Sequence, residues 1–423
     1  MSMGGAPLAA QDWVSSGPMG GAVRSLIRHP EQPAEVMLAT VNAGPYHSTD
    51  GGRSWVTVMA GLGDTALAWQ AVPAGSNDWL AFSELVPGLF RLERSPSRWG
   101  LLPTSPSVGQ TLQTLKLVVA APSRPRRVYA ISTTGQVFRS EDAGQQWARV
   151  GQLNLLATDT LASAAVSHQD PEVLLVSTSN GLQRTLNGGV QWERMSAAEA
   201  ALGQSFARIV LDPASNASGY LITFARVRGL QTQGGGLIES PPLPGGVADR
   251  YTHAAYGTTG PWFLRPPDIH APTGSGSWQA LLSPDLEVAP GRRASASQID
   301  IRRQPGQPDT VLIGTDGPGV YASADGGASW QSANSGLDAS NIRALAVARG
   351  QPTLLFSGRG EVPGPAPVIS SNVGYRALFR SLDGATGDWQ PVPIPLRFVR
   401  DVVFDPRNTD QIGTTRVFAV GAG

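Results

Sequence analysis

The chain contains no cysteine, which excludes disulfide staples, thiolate nucleophiles and Cys-ligated zinc or iron–sulfur sites. It is almost without lysine; Lys116 is the single one. Charged residues make up only 15% of the chain, and Lys+Arg (32) balances Asp+Glu (32). That balance leaves no bulk electrostatic footprint for nucleic acid or an anionic membrane. No apolar run reaches the roughly 18 residues that cross a bilayer. The first ten residues lack the basic and long apolar segments of an export signal. The five histidines show no metal-ligand spacing, and no H-E-x-x-H, G-x-S-x-G, Walker or calcium-loop sequence occurs. No metal, cofactor, nucleic-acid partner or membrane insertion is therefore expected.

What the chain does contain is glycine (50), proline (34) and tryptophan (11), a composition that suits many short strands joined by tight turns. One pattern recurs along the chain. An apolar strand often ends near proline, a second and third strand follow, and a glycine turn leads to tryptophan. The first full copy runs from Val23 to Val58 and contains Ser48-Thr49-Asp50-Gly51-Gly52-Arg53-Ser54-Trp55. The turn returns around Asp142 and Trp147, around Asn187 and Trp192, around Asp325 and Trp330, and in a longer form from Asp383 to Trp389. Weaker copies end at Trp99 and Trp278. In such a turn the Asp or Asn side chain accepts backbone N–H bonds, the Ser or Thr hydroxyl adds another, and the glycines take positive φ. The tryptophan is then free to wedge between neighbouring sheets.

These turns resemble the Asp-box of BNR-type repeats found in sialidases, sortilin-type receptors, xyloglucan-active glycoside hydrolases and photosystem II assembly factors. The resemblance covers nearly the whole chain. It implies an all-β fold, a single β-propeller domain over residues 1–423 built from four-stranded antiparallel blades. It also implies that Asp50, Trp55, Asp142, Trp147, Asn187, Trp192, Asp325, Trp330, Asp383 and Trp389 are structural, and that ligands bind on the face opposite the boxes. Proteins of this kind commonly act outside the cytoplasm. Successive tryptophans Trp55, Trp99, Trp147 and Trp192 lie 44, 48 and 45 residues apart, close to one blade each. Longer intervals, 86 residues from Trp192 to Trp278 among them, then carry insertions. Counting this way predicts eight blades, or seven, with N- and C-terminal strands sharing a closing blade.

Two segments, 226–261 and 359–375, read as insertions between second and third strands on the ligand face. They bring Arg250, Tyr251, His253, Tyr256, Arg359 and Tyr375 forward as candidate ligand contacts, Tyr and Arg being favoured at interfaces. Aligning the innermost strands adds a set of cations, Arg24, Lys116, Arg343 and Arg400, at one repeat position near the central channel; three of their blades are expected to be neighbours around the ring. Converging cations would suit an acidic ligand. The segment Val23-Arg24-Ser25-Leu26 does not match the F/Y-R-I-P that carries the first sialidase arginine, and no Tyr–Glu pair can be assigned. Asp64, Asp300, Asp338 and Asp401 are expected near the ligand face, but spacing picks out no catalytic pair. The sequence therefore favours a non-enzymatic protein- or glycan-binding or assembly module. The alternative is a polysaccharide-active glycoside hydrolase using carboxylates on that face.

Overall fold

The computed structural model describes residues 21–40, 44–63, 69–94, 97–109, 111–195, 208–215, 218–222, 227–231, 237–238, 251–265, 268–273, 278–281, 287–289, 292–293, 296–304, 306–317, 319–337, 342–348, 351–359, 378–381, 390–392, 398–404 and 417–422. Among these residues there are strands and no α-helix. Six separate four-stranded antiparallel sheets span 70–101, 115–152, 161–194, 208–238, 253–281 and 342–392. A further sheet has eight strands and joins residues 21–57 to residues 296–332. Every four-stranded sheet is a meander, each strand bonded to the next in sequence.

The strands differ in burial as their places in such a sheet require. Second strands such as Val36–Thr40 and Leu174–Thr178 are buried at every residue, because a neighbouring sheet covers each face. Fourth strands such as Val56–Thr57 and Glu193–Arg194 are exposed. First strands alternate irregularly, as in Gly21–Arg28. They touch one another in chain order: Gly21–Arg28, Gln70–Ala74, Leu115–Ala121, Leu161–Val166, Arg208–Leu211, His253–Gly257 and Ala296–Arg302, which packs back on Gly21–Arg28. These first strands thus surround a common centre; Ile342–Ala348, the first strand of the 342–392 sheet, packs instead on Phe398–Phe404.

Closure of this circuit is made by residues far apart in sequence. Gly21 and Ala22 pair with Gly317 and Asp316. Gln298 Nε2 donates to the Arg24 carbonyl at 2.7 Å, and Ser297 Oγ to the Val23 carbonyl at 2.8 Å. One apolar cluster, including Val23, Leu38, Trp55, Leu312 and Leu337, serves both halves of the joint. The expected closing blade shared by the two termini is not formed by the described residues. Phe398–Phe404 pairs instead with Val417–Ala422 and packs on Ile342–Ala348 and Gln351–Arg359. The count of eight or seven separate blades gives way to six separate four-stranded sheets and one joined sheet of eight strands.

The interval from Trp192 to Trp278 also reads differently. It holds two sheets, 208–238 and 253–281. Residues 226–261 are therefore not one insertion: they include the strands Val227–Gln231, Leu237–Ile238 and His253–Gly257. The 208–238 sheet ends in no recognisable turn tryptophan, so spacing by tryptophan passes over it. Residues 360–375 lie outside the described residues; the flanking strands Gln351–Arg359 and Leu378–Ser381 are the second and third of their sheet.

Four of the recurrent turns are described, and they share one geometry. Ser48 Oγ donates to Asp50 Oδ1 at 2.7 Å and accepts the Gly52 N–H at 2.8 Å. Asp50 in turn accepts from the Arg53 and Ser54 N–H groups at 2.9 Å and from Ser54 Oγ at 2.6 Å. The equivalent bonds tie Asp142 to Ser140 and Gln146, Asn187 to Thr185 and Gln191, and Asp325 to Ser323 and Ser329. The second turn glycine has φ of +93° at Gly52 and +85° at Gly327. At both sites a side chain of the preceding sheet, Leu312 or Leu281, would stand within 2.6 Å of an added Cβ. Positive φ and close approach both demand glycine there. Asp383 and Trp389 lie outside the described residues.

Candidate binding site

Strand alternation gives the fold two distinct ends. The third-to-fourth turns and the first-to-second connections fall at one end; the second-to-third loops and the links between sheets fall at the other. The sequence-derived cations belong to the second end, and the structure gives a local reason for their alignment. The innermost strands carry a register shift at Arg24, Lys116, Arg343 and Arg400, and at Ala162 and Ser297. Each shift is a β-bulge, which takes one residue out of the regular two-face alternation. Arg24 and Lys116 line the central circuit. Lys116 Nζ is bonded to Glu84 Oε2 at 2.6 Å, from the second-to-third turn of the neighbouring sheet. The sheet on the other side of Arg24 presents Ser297, not a cation. Arg343 and Arg400 lie on strands whose main contacts are with each other's sheets, outside that circuit, and their side chains are outside the described set. Of the four, Arg24 and Lys116 lie on strands of the circuit.

At the turn end, a cavity of about 360 Å³ opens between the 208–238 and 253–281 sheets, with Arg303 on its rim. It is built from first-to-second connections. Asp212 follows the strand Arg208–Leu211, Thr258 and Thr259 join His253–Gly257 to Gly260–Arg265, and Arg303 follows Ala296–Arg302. Asp212 Oδ1 accepts the Ala214 N–H at 2.8 Å, which fixes its turn. Thr258 is anchored through its N–H (2.7 Å) and hydroxyl (2.5 Å) to the buried Asp309 carboxylate.

The apolar wall is Tyr220 and Tyr256, ring centroids 6.3 Å apart and inclined at 39°. Burial, and then the Asp212 charge, push both phenols up from their ordinary range, so both keep their protons at neutral pH. The nearby His168 is held below its usual value by burial and then by Arg303, with Asp212 opposing. One carboxylate, one guanidinium, two neutral phenols and threonine hydroxyls make a site able to accept and donate hydrogen bonds around an aromatic platform. Among its described lining residues Asp212 is the one carboxylate. Among the described residues no cluster of three or more potential metal ligands occurs.

Of the residues singled out in the sequence, this cavity uses only Tyr256. Tyr251 is buried, packed on Phe263 and His270, and is a core residue rather than a ligand contact. His253 begins a first strand at the opposite end. Arg250 and Tyr375 lie outside the described residues, and Arg359 ends a strand with its side chain outside the described set. Asp212, Tyr220 and Arg303 went unselected. Their only signal in the sequence was position, just past or beside a first strand. No family model matches the chain. No curated protein matches it either. Among solved structures, an ancestral GH74 enzyme superposes with a TM-score of 0.70 at 16% identity, over 98% of this chain and 60% of its own. The GH74 xyloglucanase from Xanthomonas campestris gives 0.63 at 16% identity, over 92% and 71%. A YCF48 structure bound to D1 peptide gives 0.52 at 15% identity, over 73% and 93%.

The fold is a β-propeller. At these identities the likeness is one of fold alone. The chain spans 60% of the length of the first of these structures. The carboxylates of Asp50, Asp142 and Asp325 each accept N–H bonds within their own turns.

Proposed function

We propose that this chain is a non-enzymatic Asp-box (BNR-type) repeat propeller that binds a protein or glycan, acting outside the cytoplasm as the resemblance implies. The observation that carries the reading is the turn-end cavity, on the end that bears the boxes and not the opposite end that the resemblance implies: Tyr220 and Tyr256 offer a stacking surface, with Asp212, Arg303 and Thr259 around it and a single carboxylate among the described lining residues. Glycoside hydrolysis needs two carboxyl groups held roughly 5–9.5 Å apart. Soluble oligosaccharides, xyloglucan fragments among them, are the probe. Calorimetry is expected to show saturable binding, weakened about tenfold or more by Tyr256→Ala, without release of new reducing ends. Turnover that disappears in Asp212→Asn would overturn the reading.

The second reading, a polysaccharide-active hydrolase, draws on the likeness to GH74 folds. Of its candidate acids, Asp300 is bonded to Arg28 at 2.7 Å, and Asp401 accepts the N–H of Val402 at 2.8 Å. Asp64 and Asp338 lie outside the described residues. That reading rests on Asp64, Asp338 and Asp401, and a hydrolytic activity lost in Asp64→Asn, Asp338→Asn or Asp401→Asn would establish it.

A further inference from the structure

At the end of the propeller opposite the turns, two adjacent first strands begin with basic side chains, Arg208 and His253. The enclosed guanidiniums elsewhere in the propeller each hold a carboxylate: Arg28 holds Asp300, Arg127 holds Glu141 and Glu172, and Arg184 holds Glu193. Arg208 is exposed and has no ion pair or side-chain hydrogen bond among the described residues. Beside it, Nδ1 and Nε2 of His253 and the hydroxyl of the preceding Thr252 are buried without a hydrogen-bond partner. Burial and then the Arg208 charge keep that imidazole well below its ordinary value, and so neutral. The carboxylate on the next first strand is already taken, since Asp300 is bonded to Arg28. Asp212 stands at the far end of the Arg208 strand.

His253 and Thr252 are buried polar groups without partners, and beside them stands an exposed cation with no carboxylate among the described residues; together they make an incomplete hydrogen-bonding set. We infer that Arg208, His253 and Thr252 form a binding site for an oxyanion, a carboxylate or sulfate, at the mouth of the central passage. The guanidinium fork meets two oxygens of such a group at once. A neutral imidazole N–H and a threonine hydroxyl can donate to the oxygens that remain. The Ile209 N–H donates to Ser163 Oγ at 3.1 Å, which ties the Arg208 strand to the sheet before it.

The source of the anion is either a free ion or an acidic group on a sugar, and the experiment separates them. The full chain is titrated with sodium sulfate, and separately with sodium glucuronate, at ionic strength balanced with sodium chloride. Arginine Nε–H and histidine ring resonances are followed alongside calorimetric heats. Saturable shifts at Arg208 and His253 are expected with at least one anion, with affinity reduced tenfold or more in Arg208→Gln and unchanged in Arg53→Gln at the opposite end. Sulfate alone identifies a free-ion site, and glucuronate an acidic-sugar site. Thr252→Val, which keeps the β-branched shape, provides a second variant should Arg208→Gln fail to fold; it is expected to weaken binding at least threefold. Absence of saturation with both anions, or undiminished affinity in both variants, overturns the inference.

Discussion

The indole Nε1 of Trp55 donates to the carbonyl oxygen of Ala333 across 2.8 Å, joining residues 278 positions apart. The Trp55 N–H also donates to the Ser335 carbonyl at 2.8 Å, so one tryptophan fastens the two halves of the joined sheet. Trp147, in the same repeat position, is only half-buried and bonds back to Gly144 of its own turn. Trp55→Ala is therefore expected to cost about 3–5 kcal/mol, in the range of large aromatic truncations in cores. Trp147→Ala should cost clearly less. Urea denaturation of the two variants side by side checks the ordering.

The turn carboxylates make stability depend on pH. Burial alone would raise the Asp50 carboxyl, but the bonds from Ser54, Ser48 and Arg53 outweigh it and hold it at about 2. Bonds from Ser329 and Ser323 hold Asp325 at about 2 as well. A carboxyl with a depressed folded pKa adds stability that is complete above its ordinary value of 3.8 and fades as pH falls through the folded value. The melting temperature of the unaltered chain should drop between about pH 4 and pH 2. Asp50→Asn with Asp325→Asn should be less stable at neutral pH and show a shallower drop across that window.

The two glycines of a turn should not respond alike. A Cβ on Gly51 meets only Arg28 Nη1 at 3.9 Å, whereas a Cβ on Gly52 meets Leu312 Cδ1 at 2.5 Å. Both residues have positive φ. Gly51→Ala is expected to cost about 1 kcal/mol through backbone strain. Gly52→Ala adds displacement of Leu312 from the closing core, for a total of about 2–3 kcal/mol. Equal losses in thermal unfolding would contradict the packing argument.

Glu35 joins the first sheet to the next. It accepts both terminal nitrogens of Arg94 at 2.8 Å, and the ring N–H groups of Trp79 and His47 lie at 3.2 Å. Burial would raise this carboxyl, and the Arg94 and Trp79 bonds overcome it to hold it at about 2. Glu35→Ala leaves Trp79 Nε1 and half-buried Arg94 without their acceptor and should destabilise by about 1–3 kcal/mol. Glu35→Gln, which keeps one acceptor, should lose less. Chemical denaturation at neutral pH distinguishes them.

Much of the fold could be read from the chain because the turn chemistry is local. Ser48, Asp50, Gly52 and Trp55 state their geometry within eight residues, and the copies around Asp142, Asn187 and Asp325 repeat it. The alignment of Arg24 with Lys116, Arg343 and Arg400 likewise marked a real backbone feature, the bulge of the innermost strand. Closure could not be read that way. It depends on Gly21 and Ala22 meeting Gly317 and Asp316, and nothing near either segment records the pairing. The 208–238 sheet lacked the tryptophan that marks its neighbours, so two sheets passed for one with an insertion. The cavity was the least legible part. Asp212, Tyr256 and Arg303 come from three sheets and meet only after the circuit has formed, while Arg208 carries no motif beyond its place at the head of a strand.

The closing joint also sets the order of events during synthesis. The edge that Gly21–Arg28 offers to Thr310–Gly317 waits until that later segment has been made. At roughly 5–20 residues per second, a ribosome takes tens of seconds to cover the 274 positions from Arg24 to Gln298. For that time an early sheet edge stands open on the nascent chain, able to pair with other strands. The interval before closure is therefore the time at which this edge is open to pairing with strands other than its own partner.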